Sequence, residues 1–344
     1  MLAGCPFPPQ KAGRHRWRFP VRNASNAWRP MKQMASPFQA AFGTVPIRIS
    51  VVIPHLNQLV LLDRCLRSLL QGVRKPDEII VVDNGSTIGP EAVCGTYPGV
   101  RLFSEPEPGP GPARNKGTAE SSGDILAFID ADCLADPDWL AEAERRMRDP
   151  DAQILGGDVR ISCADPARLT MLEAYESIFA FRMDRYIARE GFTGTGNLVV
   201  RRSTLQKVGS FAGLSIAEDR DWGQRATRMG YRIRYVAGMK VYHPARQTFS
   251  EMWKKWDRHS AHDYVAARQH PGGRLRFLAK TLAMALSPLA EIPRIIASDR
   301  LSGGRSRILA FAGLARVRLY RTGVMARLLT GSAGADLSGA WNRK

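Results

Sequence analysis

Ile125-Leu126-Ala127-Phe128-Ile129-Asp130-Ala131-Asp132 runs from five consecutive apolar residues into two carboxylates separated by one residue. An unbroken apolar run of this length reads as a strand buried on both faces, as in the middle of a parallel sheet. Working upstream, Pro112 opens a helix to about residue 121, and residues 100–103 make a short strand. Glu78-Ile79-Ile80-Val81-Val82 and Ile49-Ser50-Val51-Val52-Ile53 are further apolar strands. Between those two, Leu59, Leu62, Leu66, Leu69 and Leu70 recur at helical spacing, with Asn57 the expected cap. Strand and helix in alternation predict an α/β fold: a doubly wound, mostly parallel sheet with helices on both faces and ligand sites at the carboxyl ends of its strands. Three such ends carry polar chemistry: Pro54-His55-Leu56-Asn57, Asp83-Asn84-Gly85-Ser86 and Asp130-Ala131-Asp132. One of these alone would be an ordinary turn. Three on one sheet edge make a candidate site.

In an extended segment Asp130 and Asp132 point to the same side, about 7 Å apart at Cα. Two hard oxygen donors at an open sheet end suit Mg²⁺ or Mn²⁺, which leave coordination positions for phosphate and water. Gly109-Pro110-Gly111-Pro112-Ala113-Arg114-Asn115-Lys116 puts Arg114 and Lys116 near a helix start, where cations and backbone N–H groups attract a diphosphate.

Downstream, residues 165–188 read as mostly helical, 191–196 as a Gly/Thr loop and 197–200 as a strand. Residues 218–229 form a helix ending at Gly230, and strands over 233–236 and 240–242 lead to His243-Pro244. Thr248-x-x-Glu251 is a capping box opening a helix whose Trp253 and Trp256 are expected to pack onto the core.

In order along the chain, Ser50-Val51-Val52-Ile53-Pro54…Asn57, Ile79–Thr87, Arg114-Asn115…Gly123-Asp124-Ile125…Asp130-Ala131-Asp132, Gly196-Asn197, Val208-Gly209-Ser210-Phe211 and Glu218-Asp219-Arg220-Asp221 resemble family-2 glycosyltransferases of the GT-A fold. The resemblance covers about residues 48–245. It implies that Asp83 contacts the base of a nucleoside-diphosphate sugar, usually uracil, with Pro54 and Asn57 lining the same pocket. It places Asp130 near ribose and diphosphate, Asp132 as the more direct metal ligand and His243 near the metal. In the pair Glu218-Asp219, Asp219 matches the base that deprotonates the acceptor hydroxyl. One carboxylate base and one metal-bound donor imply a single displacement with inversion. Three positions depart from the pattern: Leu56 stands where an aromatic residue is common, and Asn84 and Ile88 where acids are. The Gln-x-x-Arg-Trp motif of processive synthases is absent after this point, so transfer of one sugar per acceptor is expected.

The chain has 344 residues and a net charge of +18. Residues 1–48 hold 8 basic and no acidic side chains, and residues 241–344 hold 18 basic and 6 acidic. The body between is near neutral. The expected organisation is a basic Pro-containing leader over 1–46, a GT-A domain over 47–245 and a basic helical extension over 246–344. Residues 300–335 carry seven Arg and no acid among apolar residues, a composition suited either to an anionic membrane surface or to a helical cap on the core. The expected acceptor is a glycan or a lipid-linked molecule, and the expected location cytoplasmic, peripheral on the inner membrane face. Five separated cysteines without a Cys-x-x-Cys pair fit a reducing compartment rather than a zinc site. Two rivals remain at this level: a nucleotidyltransferase, and a nucleic-acid-binding protein with a decayed α/β body. Net charge alone favours the latter, without zinc spacing or an aromatic-basic motif, so no specific nucleic acid is expected.

Overall fold

A computed structural model describes residues 47–331, residue 215 excepted, and the leader expected over 1–46 lies outside them. The elements in chain order begin with β1 (Ile49–His55), α1 (Leu59–Leu70), β2 (Glu78–Asp83), α2 (Glu91–Cys94), β3 (Val100–Ser104), α3 (Pro110–Glu120), β4 (Ile125–Ile129) and β5 (Leu134–Ala135). They continue with α4 (Trp139–Met147), β6 (Ile154–Ser162), α5 (Met171–Phe179), α6 (Met183–Glu190), β7 (Asn197–Arg201), α7 (Arg202–Val208), α8 (Glu218–Arg228) and β8 (Ile233–Pro244). Four helices follow: α9 (Phe249–Arg268), α10 (Gly273–Ala290), α11 (Ile292–Ile296) and α12 (Gly303–Thr330).

The strands form one mixed sheet in the order β3-β2-β1-β4-β7-β6-β8-β5. The pairs β1/β2, β1/β4, β2/β3 and β6/β8 are parallel, while β7 and β5 run antiparallel to their neighbours. Alternation along each strand sends side chains to two layers. Ile49, Val51 and Ile53 pack with Leu62, Leu66 and Leu69 of α1 and with Trp139 of α4. Val52, Leu126 and Phe128 turn the other way, against Phe211 and Trp222. Helices therefore cover both faces, and each fully buried Leu or Ile contributes about 1.5–3 kcal/mol.

Register places the site. His55 pairs with Asp83 across β1 and β2, so both polar strand ends reach the same edge. Ile129 pairs with Asn197 at the start of antiparallel β7, which sets Gly196 beside Asp130. Leu134 pairs with Tyr242, which brings His243 back toward Asp132. The strands expected over 233–236 and 240–242 are one strand, with a register shift opposite Gly157/Asp158.

Two local expectations are corrected. The helix expected over 165–188 is two helices, α5 and α6, because Phe181 between them has φ 48°. A capping box opens α5: Thr170 Oγ1 accepts from the Glu173 N–H, and Glu173 accepts from the Thr170 N–H. Asn57 is not the cap of α1; it has φ 55°, and Gln58 holds that position. Its side chain instead accepts from the Thr87 N–H at 2.8 Å, tying the first strand end to the second.

Helices α9 and α12 pack around α5, with Leu172, Tyr175, Met252, Leu314 and Val317 in the core between them, and α10 completes this layer by packing on α9 and α12. Trp253 stacks on Tyr320 with ring centroids 4.0 Å apart, and the Arg321 guanidinium lies 3.8 Å over Trp256, so both tryptophans pack α12 as expected. Buried Asp158 on β6 bonds to Arg160 and Arg300, joining this layer to the sheet. No helix among the described residues is long and apolar enough to cross a membrane.

Candidate active site

Two cavities open at the carboxyl edge of the sheet, with Arg114, Asp130 and Glu218 in the wall of both. The outer cavity, about 910 Å³, is lined by Pro54, Asn57, Asn84, Gly109, Asp132 and Leu214 among others. The inner one, about 260 Å³, is lined by Phe181, Met183, Tyr186, Asp219, His243 and Lys255 among others. Both described non-glycine residues with left-handed backbone, Asn57 and Phe181, sit in these walls. Such strain persists where surrounding structure holds it, and it gathers at functional sites.

Arg114 is the hinge of the arrangement. It is 3% exposed; one Nη donates to Asp130 at 2.7 Å and the other to Glu218 at 2.8 Å. Burial disfavours its charge, but the two carboxylates outweigh burial and hold its pKa above the ordinary value. The guanidinium thus bonds two carboxylates while lining both cavities. Lys116, two residues on, pairs with Glu120 at 2.9 Å and lines neither cavity. Asn115 bonds both the N–H and the C=O of Phe211, pinning the 209–214 segment to α3. That approach is close: a Cβ on Gly111 would lie 1.9 Å from the Ala212 carbonyl oxygen.

Asp83 also lies in the wall rather than at the cavity surface. Its Oδ1 accepts from His55 Nδ1 at 2.9 Å and from Ser86 Oγ, and its Oδ2 accepts from the Ser86 N–H. Burial acts against its charge, yet the Ser86 and His55 bonds prevail and keep its pKa low. Nε2 of His55 accepts from the Gln58 N–H, so the ring proton sits on Nδ1 and points at Asp83. Asn84, where an acid is common in the resembling family, donates to the Glu105 and Glu107 carbonyls and accepts from the Gly109 N–H. It fixes the loop that leads into α3. An acid could not make those two donations.

The Asp130/Asp132 end suits a divalent cation. Ligand atoms of Asp130, Asp132 and Cys133 lie within 4.8 Å of one another. His243 Nδ1 faces the Pro244 carbonyl at 2.7 Å and must donate there, which leaves Nε2 facing Asp132 Oδ2 at 3.5 Å. A lone pair and a carboxylate so placed are complementary to a cation between them. Burial, then Asp130 and Asp132, push the Cys133 thiol well above its ordinary value. Gly196 must lack a side chain, since a Cβ there would lie 2.5 Å from Asp130 Oδ2. Asn197 beside it is structural, accepting from Trp139 Nε1 and donating to the Asp158 and Met239 carbonyls.

Asp219, in the first turn of α8, differs from its neighbour Glu218. Glu218 is tied to Arg114, whereas the hydrogen bond at Asp219 comes from the Arg220 N–H, and its carboxylate faces the inner cavity beside Gly194. Burial first, then the charge of Glu218, raises its pKa above the usual aspartate value. Such a carboxylate is a stronger base than a solvated one. The reading of the sequence named His55 and Ser86 only as members of polar strand ends, without a role, and missed Phe181, Tyr186, Arg246 and Lys255. None of those four carried a signal.

The family model for Glycosyl transferase family 2 matches residues 50–209. Glycosyltransferase AglE of Haloferax volcanii is 32% identical over 220 residues, which cover 62% of this chain and 71% of that protein. The probable glycosyltransferase YdaM of Bacillus subtilis is 26% identical over 258 residues; the match covers 68% of this chain but only 57% of YdaM. Among solved structures, the mannosyltransferase PcManGT of Pyrobaculum calidifontis, in complex with GDP-Man and Mn²⁺, superposes with a TM-score of 0.52 at 18% identity, over 84% of this chain and 89% of that one. That likeness is one of fold. With a sugar-transfer family matched across the sheet and its polar edge, the nucleotidyltransferase and nucleic-acid readings fall away. The chain belongs to glycosyl transferase family 2 and is a glycosyltransferase of the GT-A fold.

Proposed function

We propose that the protein transfers a single sugar from a uridine-diphosphate sugar to a hydroxyl of a glycan or lipid-linked acceptor, by direct displacement with inversion. The observation that carries this reading is the shared wall of Arg114, Asp130 and Glu218 between the two cavities, with Asp219 on the inner side and Asp132 on the outer. The outer cavity, with Pro54, Asn57 and the start of α3, has the size and polarity for a nucleoside diphosphate. The inner one then takes the acceptor.

In this reading the acceptor oxygen forms its bond to the anomeric carbon as its proton passes to Asp219. The bond from that carbon to the diphosphate oxygen breaks, and the electron pair leaves with the diphosphate. Mg²⁺ or Mn²⁺, held by Asp132 and His243 with Asp130 beside them, would supply positive charge for the leaving oxygens. PcManGT, solved with GDP-Man and Mn²⁺, shows that this fold accommodates such a pair. Arg114 keeps Asp130 and Glu218 in place, so that neither competes with Asp219 as base.

The test is Asp219→Asn. Transfer should fall by about 10²–10⁴-fold, the usual contribution of a positioned base, while UDP still raises the melting temperature in the presence of Mn²⁺. NMR of the product should show the inverted anomer. Full activity of the variant, or a product with retained configuration, refutes the mechanism.

A further inference from the structure

The layer formed by α9, α10 and α12 leaves one face without a partner. Helix α10 buries Gly273, Phe277, Thr281, Met284 and Pro288, with Phe277 and Met284 against Val324, Met325 and Leu328 of α12. On its opposite side Leu275, Leu278, Leu282, Leu286 and Leu289 stand 42–72% exposed. Their spacing of three and four residues puts all five within an arc of about 80° on a helix of 3.6 residues per turn. The line continues into Ile292 and Ile296, which are also exposed. Soluble monomers rarely leave so continuous an apolar strip open to water.

Charge says what covers it. Residues 264–290 contain no Asp or Glu, but they include Arg268, Arg274, Arg276 and Lys280, the last of which pairs with Asp263 at 2.8 Å. Those four cations are all exposed. On the helical projection Arg274 lies to one side of the leucine stripe and Arg276 and Lys280 to the other. An apolar stripe between two cationic margins is the arrangement of a helix lying in the interface of an anionic bilayer, leucines among acyl chains and cations at the headgroups. The helix is too polar to cross the bilayer.

We propose that α10 docks the enzyme on an anionic membrane surface through Leu275, Leu278, Leu282, Leu286 and Leu289. The basic stretch over 300–335 suggested such a surface in the sequence, but α12, which takes up most of it, caps the layer with Ala310, Leu314, Val317, Val324 and Met325 inside. The membrane face belongs to its neighbour. The inference does not depend on the acceptor or the mechanism, because its test reads binding without sugar transfer.

The experiment is co-sedimentation of the full chain with phosphatidylcholine vesicles, with and without phosphatidylglycerol. The wild type should pellet with the anionic vesicles and less so as salt rises. Leu282→Glu combined with Leu286→Glu should lose more than about tenfold in affinity, and Arg276→Gln about fivefold. Because these side chains are exposed, the melting temperature without lipid should not move. Wild type that stays in the supernatant at physiological salt overturns the proposal, as does a leucine variant that binds equally well. So does a leucine variant that melts several degrees lower without lipid, for then the stripe is covered by the chain itself. Conversion of a dimer to a monomer, with no vesicle binding by the wild type, would assign the face to a second copy instead.

Discussion

Replacing Arg114 by Met removes one cation from between two carboxylates and leaves a side chain of similar length in its place. The guanidinium is 3% exposed and donates to Asp130 at 2.7 Å and Glu218 at 2.8 Å. Removing one partner of a buried pair costs about 3–5 kcal/mol, because the other charge stays buried and unpaired. Here two are stranded, but not equally. Asp130 is 36% exposed and recovers part of its solvation, while Glu218 is only 16% exposed. The lower end, about 3 kcal/mol, is therefore expected at neutral pH. For a chain of this size, with about 2 cal/mol/K of unfolding entropy per residue, that is about 4–5 °C in melting temperature. Arg114→Lys, which keeps the charge but cannot span both carboxylates, should fall between. Urea and thermal melts at pH 7 check both statements. A variant within about 1 kcal/mol of wild type refutes the reasoning.

Other consequences follow from the same geometry. Because burial and Glu218 raise the pKa of Asp219, kcat/KM should climb with pH through a value above the ordinary aspartate range, and Asp219→Asn should lose that limb. Gly196→Ala puts a methyl 2.5 Å from Asp130 Oδ2, and displacing that carboxylate should cost about 1–3 kcal/mol in stability and weaken Mn²⁺ binding, read by melts and metal titration. Asn197→Ala strands Trp139 Nε1 and two carbonyls, for a loss of about 3 kcal/mol or more in urea unfolding. His243→Ala should raise the Mn²⁺ concentration for half-maximal activity by at least about tenfold, and chelation of the metal should abolish transfer by the wild type.

Part of the site was legible because it follows from strand periodicity. Three apolar runs, each ending in polar residues, can only be parallel neighbours whose carboxyl ends share an edge, and β1, β2 and β4 are. What could not be read is which atoms those side chains spend on one another. Arg114 and Lys116 looked alike as cations at a helix start. They are two residues apart on α3, hence on different sides of the helix, and one meets Asp130 and Glu218 while the other meets Glu120. Asn84 looked like a weakened acid; its donors turned out to hold the loop before α3. Phe181 gave no signal at all, since a left-handed residue is imposed by the elements on either side of it.

The sequence by itself determined the layers, the polar sheet edge and the reaction class, because each rests on local periodicity and on motifs that keep their chemistry wherever the chain goes. Only the tertiary structure decided the division of labour within the site. Glu218 and Asp219 are adjacent in the chain, yet one carboxylate is locked to Arg114 and the other faces the inner cavity, because a helix turns successive side chains in different directions. The same held for the basic C-terminal helices. Both α10 and α12 are apolar and rich in cations, and which one shows its apolar face to the outside was settled by packing: α12 is enclosed by α5, α9 and α10, and the leucines of α10 are left over.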